Sequence, residues 1–386
     1  MNTNSNKCAI YYSSCYALAF IIFISFSLYM TEMGYSSILL AAMLSVVSGM
    51  LLASRFLVPK IIDGAHCHRV MIVSTAASVI GSAVFFFVPG LSAVKALCYT
   101  VLGIGGYQIQ MSLTDPWIMK IMETDESIDY GKVRSFGSIA YAVAAVVYGW
   151  ALTRNGIGIA FWTILVFEAV QLTVTVTIPD EKRKAGKGEG TSPWKSILRK
   201  PLYLIFVVCY LFPTSIYALL DSYMPVLILE RGGNSFHAGL SSFVMAALEF
   251  VFLMFYTKIA DRFGTRKIIA VSMIGYAVKA FAVSLMPTPE LIIIACVTQT
   301  VSFCLFMPSI VRFIQETNTP EEATSAYTLL QVIDSLFSTF VTNPVAGVLK
   351  ESYGTGVMLC LFGVLSAVSG VLFLMLTKKR EWTSGS

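Results

Sequence analysis

The feature that most constrains this chain is its succession of long apolar runs. They cover roughly 9–30, 36–57, 70–89, 93–118, 133–152 and 157–178, then roughly 202–229, 236–257, 267–286, 290–312, 324–348 and 355–377. A membrane helix needs about 20 such residues, so twelve spans would use about 240 positions. The apolar residues do not alternate over segments of about ten, as a membrane β-barrel requires. Charged residues make up 13% of the chain and the mean hydropathy is +0.74, where a soluble domain carries about 25% charge. A soluble enzyme, a disordered chain and a large water-exposed domain are thereby excluded. The expected fold class is an all-α membrane protein with twelve transmembrane helices.

One long polar stretch, DEKRKAGKGEGTSPWKSILRK from Asp180 to Lys200, interrupts the runs. It divides the chain into a six-helix half over 1–179, a linker over 180–200, a second half over 201–378 and a tail over 379–386. The opening MNTNSNK and its apolar run loosely resemble a signal peptide. A convincing small-residue cleavage site is lacking, so the run reads as the first span. With the N-terminus cytoplasmic, the outward loops hold Lys95, Arg154, Arg231 and Lys350, and about twenty Lys and Arg lie inward, so both termini face the cytoplasm. The net charge of +5 then reports topology and gives no argument for a nucleic-acid partner.

Eight cysteines are scattered without CxxC spacing, which argues against a disulfide framework. His66, Cys67 and His68 are soft ligand types in a cytoplasmic loop. Alternate residues point different ways and no other His is close in sequence, so no metal or cofactor is expected.

The halves echo each other. Ile62-Asp63-Gly64-Ala65-His66-Cys67-His68-Arg69 stands between the second and third runs, and Ile259-Ala260-Asp261-Arg262-Phe263-Gly264-Thr265-Arg266-Lys267 at the equivalent place later. After the fourth run of each half, Pro116-Trp117-Ile118-Met119-Lys120 with Glu123 parallels Pro308-Ser309-Ile310-Val311-Arg312 with Glu316. Two echoes at matching places indicate an internal duplication into parallel six-helix repeats. IADRFGTRK resembles the DRxGRR-type loop of the major facilitator superfamily, with Thr257 where that pattern begins with glycine. The resemblance implies two pseudo-symmetric halves around a central cavity. Asp261, Arg262, Gly264 and Arg266 would form a conformational loop motif with an inter-helix charge relay.

A charge at the bilayer centre costs about 2.5–3.5 kcal/mol on insertion scales, so ionisable residues within the runs carry most of the functional information. They are Asp115, Glu168, Asp221, Glu249 and Asp334, against Arg134 and Lys279. Acids without a counter-ion are expected to carry protons, a starting point for proton coupling. Arg134, Ser138 and Tyr141 share one helix face. A guanidinium fork beside an aromatic ring suits a polyol or carboxylate ligand. Gln108, Ser112 and Asp115 form a polar stripe on the preceding span.

The run Tyr130-Gly131-Lys132-Val133-Arg134-Ser135-Phe136-Gly137 resembles the fifth helix of the lactose permease group, the oligosaccharide–proton symporters. By that resemblance Arg134 matches a sugar-binding arginine and Tyr141 a tryptophan that stacks on the sugar, and Asp115 falls within one residue of a sugar-binding acid. Tyr217 and Asp221 match a tyrosine and an acid whose lysine partner lies on span eleven, where this chain has Gln331 and Asp334. Lys279 falls on the family's arginine, either as an ion-pair partner of Asp221 or in a transport role. Glu249 resembles the acid that couples sugar binding to protonation. Gln299 and Ser302 replace the family's histidine and proton-carrying glutamate, and neither can carry a proton at physiological pH. That leaves Glu249, Asp221 and Asp334 as proton-coupling candidates. Glu168 has no counterpart.

The expected activity is alternating-access transport of a small hydrophilic solute, a sugar or glycoside, by proton symport. It would be carried out by a monomer in the bacterial cytoplasmic (inner) membrane, with the bilayer and the solute as partners. No GxxxxGK[ST] motif is present to drive transport by ATP hydrolysis. The alternatives are a proton-coupled drug or metabolite antiporter and a transport-dead sensor. A membrane enzyme is not expected, because clustered His, Cys or Ser–His groups are missing.

Overall fold

A computed structural model describes residues 3–63, 67–90, 93–122, 130–178 and 194–381 of the chain, and all regular structure among them is helical. This is what a lipid-embedded backbone requires, since each N–H and C=O must be satisfied within its own segment. In the first half the principal helices are α1 (Thr3–Glu32), α2 (Ser37–Asp63), α3 (Cys67–Phe87), α4 (Gly105–Met122), α5 (Tyr130–Asn155) and α6 (Ile159–Thr177). In the second they are α7 (Pro201–Glu230), α8 (Ser235–Phe263), α9 (Thr265–Leu285), α10 (Phe303–Thr317), α11 (Pro320–Phe337) and α12 (Thr355–Glu381). Among the described residues ten helices are long and apolar enough to cross a membrane; α4 and α8 stand outside those ten.

Three spans depart from the uniform helices that their apolar runs predict. The approach to α4 is a short helix, Ala93–Cys98, and a π-helical stretch, Tyr99–Ile104. The approach to α10 is Pro289–Ala295 and a 3-10 stretch, Cys296–Thr300. A π-helical stretch, Ser338–Thr342, continues α11 into Asn343–Tyr353. The expected linker also differs from a plain polar tether: Trp194–Leu198 is helical and Ile197 is buried, while 180–193 lie outside the described residues.

Local sequence explains several ends. Pro201, Pro289 and Pro320 begin helices, where a missing N–H is no loss. Gly264 separates α8 from α9 with φ of 80°. A Cβ there would meet open space, so the backbone angle is what calls for glycine. On α5, Phe136, Ile139, Val143, Val147 and Trp150 form an exposed apolar stripe at helical spacing, as a lipid-facing surface does.

The chain divides into two compact units, Met1–Gly188 with Asn234–Phe243 and Glu189–Gly233 with Val244–Ser386. In the first, α1 lies along α5 and α6, and α3 packs on α4, its π-helical approach and α6. A Cβ on Gly81 of α3 would fall 2.3 Å from the Gly103 backbone nitrogen, and one on Gly106 would fall 2.4 Å from the Ser74 carbonyl. Such small residues let membrane helices pack backbone to backbone. In the second unit, α9 packs along α12 and α10, and α12 along α7. There a Cβ on Gly275 would fall 2.3 Å from the Val301 carbonyl oxygen.

Candidate functional site

In the first unit the polar groups gather around α1. Tyr12, Tyr16 and Phe20 recur every fourth residue on one face of that helix. The Tyr12 hydroxyl donates to Asp115 Oδ1 on α4, and the Phe20 ring meets the Tyr141 ring edge-on with centroids 5.7 Å apart. Tyr16 sits between them in sequence, 6.1 Å from the Tyr12 ring, and leaves no room for a Cβ on Gly137. One face of α1 therefore holds two expected site residues, Asp115 and Tyr141. Met111 and Thr114 lie 3.5 and 3.6 Å from the Cys15 sulfur. Gln108 is half-buried on α4, and Ser112 hydrogen-bonds Ser54 at 3.1 Å. Arg134 falls within α5, but its side chain lies outside the described residues.

In the second unit the centre is Lys279, 2% exposed on α9. Its amine donates to Gln299 Oε1 and contacts the Met245 sulfur at 3.2 Å. Asp221, exposed on α7, acts on it electrostatically. The hydrogen bond of Lys279 thus goes to Gln299, which the sequence resemblance set at a family histidine position. An amide oxygen there accepts from the ammonium where an imidazolium would repel it. Tyr217 stacks on Phe303 at 4.9 Å and meets the Tyr276 ring at 6.5 Å. Glu249, half-buried on α8, acts on both Tyr276 and Cys304. Asp334 accepts from the Thr214 hydroxyl at 2.7 Å, joining α11 to α7. Ser302 is buried and its hydroxyl donates to the Thr298 carbonyl at 3.0 Å.

At the loop motif Asp261 enters an inter-helix charge network that brings in Arg312 and Glu316. Asp261 Oδ1 accepts from Arg312 Nη1 at 2.8 Å, and Arg312 Nε donates to Glu316 at 2.8 Å. Glu316 also accepts from the Thr265 hydroxyl at 2.7 Å. Arg262 is exposed, with its guanidinium 5.4 Å from the centre of the Phe263 ring. The two sequence echoes of this half, around Asp261 and around Arg312, therefore meet in one network. In the first half His66, Glu123 and the side chains of Asp63 and Lys120 lie outside the described residues.

Sequence reasoning missed Tyr12, Tyr16 and Phe20, since aromatic residues in a first apolar run read as packing. Their four-residue spacing was the available signal.

Long apolar helices, a lipid-facing stripe and ionisable groups within the spans are the traits of a multi-pass integral membrane protein. The description MFS_1 like family matches residues 9–360, and the chain belongs to that family, within the major facilitator superfamily. It is 24% identical over 258 residues to a maltose permease of Geobacillus stearothermophilus, covering 67% of this chain and 65% of that protein. To a sucrose permease of Escherichia coli it is 22% identical over 297 residues, covering 72% and 68%. The match to the first of these thus spans slightly less than two thirds of the relative's length. A solved nucleoside transporter, NupG in a D323A mutant form, shares the fold with a TM-score of 0.84 and 14% identity over 97% of this chain and 99% of that one.

Proposed function

We propose that this membrane transporter carries a small hydrophilic solute, a sugar or glycoside, by alternating access and proton symport. The observation that carries the reading is the hydrogen-bonded polar set inside each unit. One is Asp115 with Tyr12 on the α1 face that also meets Tyr141 through Phe20, and the other is Lys279 with Gln299, Asp221 acting on the lysine electrostatically. A sugar offers hydroxyls as donors and acceptors and an apolar ring face for an aromatic side chain. Carboxylates, an ammonium and tyrosine rings meet all three demands. Arg134 and Gln108 would add hydrogen bonds, and Tyr217 a second ring. Glu249, Asp221 and Asp334 are the proton-coupling candidates, because Gln299 and Ser302 cannot exchange a proton at physiological pH. The sugar permeases among its relatives support this substrate class.

The same reading takes the chain as twelve spans in two six-helix halves, 1–179 and 201–378. The segments ending in α4 and α8 are then the fourth and eighth spans. The linker and both termini would be cytoplasmic, in the inner membrane of a bacterium. The protein would work as a monomer without a cofactor and without enzymatic activity.

Uptake into proteoliposomes against a panel of sugars, with external pH recorded, tests it. Solute-driven alkalinisation of the medium is expected, lost in Arg134→Ala and Glu249→Gln. Uptake that ignores a pH gradient and requires sodium would remove the proton from the account. Counterflow surviving both substitutions would remove the site.

A further inference from the structure

The first unit contains a polar cluster that none of the above uses. Glu168 on α6 is 0% exposed, and Gln110 on α4 donates its amide nitrogen to both carboxylate oxygens at 3.0 and 3.3 Å. Thr75 and Ser78 of α3 lie beside the same carboxylate. Gln171, one turn along α6 from Glu168 and 1% exposed, has neither amide atom hydrogen-bonded. Gln110 Oε1 is likewise buried without a hydrogen-bond partner. Gly106 permits this cluster to close, since its α carbon lets α4 approach the α3 backbone at Ser74 and Ser78.

The groups facing Glu168 are all neutral or acidic. Tyr11 and Cys15 reach it from α1, Tyr99 from the π-helical stretch and Tyr107 from α4, while α3 brings only hydroxyls. No cation faces it among the described residues. A buried carboxylate without a cation is among the costliest arrangements in an apolar interior, whereas a protonated one needs only hydrogen bonds. The partners supplied are those a protonated carboxyl uses. An amide N–H₂ donates to its oxygens, and Gln171 Oε1, one turn along the helix, is a buried acceptor without a donor such as a carboxyl O–H would provide. A metal ion would instead need acceptors pointed at it, and Gln110 presents a donor.

We propose that Glu168, capped by Gln110 and flanked by Ser78 and Gln171, is a proton-binding site inside the first unit, distinct from the acids of the candidate solute site. One proton from solvent binds a Glu168 carboxylate oxygen and cancels its charge; no other bond changes. The site does not depend on which solute is carried. Gln110 and Asp115 lie on different faces of α4, so the two acids are served by different surfaces of one helix.

The test is infrared pH-difference spectroscopy of the full chain in lipid nanodiscs, without solute. A C=O stretching band of a neutral carboxylic acid is expected, lost in Glu168→Gln and retained in Glu249→Gln. In Gln110→Leu the band should move to higher frequency, because the carboxyl loses its amide donor; this arm stands even where Glu168→Gln does not fold. A band that survives Glu168→Gln, does not respond to Gln110→Leu, or vanishes on adding sodium at constant pH would overturn the proposal.

Discussion

The two units repeat one packing device and diverge in the polar groups they bury. In each, a glycine of the third helix lies against the approach to the next span, Gly81 at Gly103 within the π-helical stretch and Gly275 at Val301 just after the 3-10 stretch. The interiors built on that shared contact differ. The first unit holds an acid with amides and hydroxyls, Glu168 with Gln110 and Gln171. The second holds a lysine with an amide, Lys279 with Gln299, while the acid that acts on the lysine, Asp221, is exposed. On α12 the buried polar pair three residues apart is Ser366 and Ser369, where α6 has Glu168 and Gln171. Ser366 donates to the Met273 carbonyl at 2.7 Å and so needs no ligand. Backbone packing is thus retained while charge is settled separately within each unit. The α7 helix also holds two internal prolines, Pro213 and Pro225, where α1 has none.

The sharpest way to break this comparison is at the shared contact. Gly81→Ala and Gly275→Ala would each drive a methyl into backbone, which cannot yield as a side chain can. Overpacking of this kind costs about 1–3 kcal/mol, and both variants should lose folded protein in thermal unfolding of detergent-purified material. Gly105→Ala, whose Cβ would clash with the flexible Met50 side chain and only touch the Thr100 carbonyl at 3.5 Å, should cost less. Equal losses in all three would show that the glycine contacts are not the common device.

These contacts were illegible in the sequence for a physical reason. The irregular stretches Tyr99–Ile104 and Cys296–Thr300 fall inside apolar runs, and hydropathy cannot register a change of hydrogen-bond pattern. The glycines at 103, 105 and 106 were the available hint. What the sequence did show were charges placed where lipid should be: Asp115, Glu168, Asp221, Glu249, Lys279 and Asp334 were all visible by that rule. Their partners were not, because Tyr12 and Gln299 are ordinary in an apolar helix until a neighbouring span brings a charge to them. The echoes around Asp261 and Arg312 were legible as a repeat, but their meeting required the fold.

A second contrast concerns those partners. Tyr12→Phe removes a neutral donor from Asp115, and Gln299→Leu strips an acceptor from a buried ammonium. Hydrogen bonds to charged groups are worth about 1.5–3 kcal/mol. Gln299→Leu should therefore weaken solute binding about tenfold or more, and Tyr12→Phe by less, because Asp115 is only half-buried. Apparent affinities from uptake kinetics would check the order.

Smaller effects are expected at the exposed charge networks of the second unit. Asp261→Asn removes one ion pair of Arg312. Exposed pairs contribute about 0–1 kcal/mol, so thermal stability should barely change while the rate of solute exchange shifts. The smallest effect lies at the linker end. There Lys200 donates to Glu322 at 2.6 Å and to Asn318 at 3.0 Å, and Ser196 reaches Glu322 at 3.1 Å. The hydrogen bond from Lys200 holds the Glu322 carboxyl below the usual range. A lowered folded-state value means the clamp is complete above the ordinary carboxyl range and is lost as pH falls through that lowered value. Hydrogen exchange at 194–200 should accordingly rise in acid, and Glu322→Gln should remove that pH dependence.

The central claim of the proposed function is that the polar set of each unit is needed for solute binding. Solute-induced thermal stabilisation, measured on Asp115→Asn in the first unit and Lys279→Met in the second, tests it most directly. The account predicts that either substitution alone weakens binding of the same solute about tenfold or more. A solute affinity unchanged in either variant would contradict it.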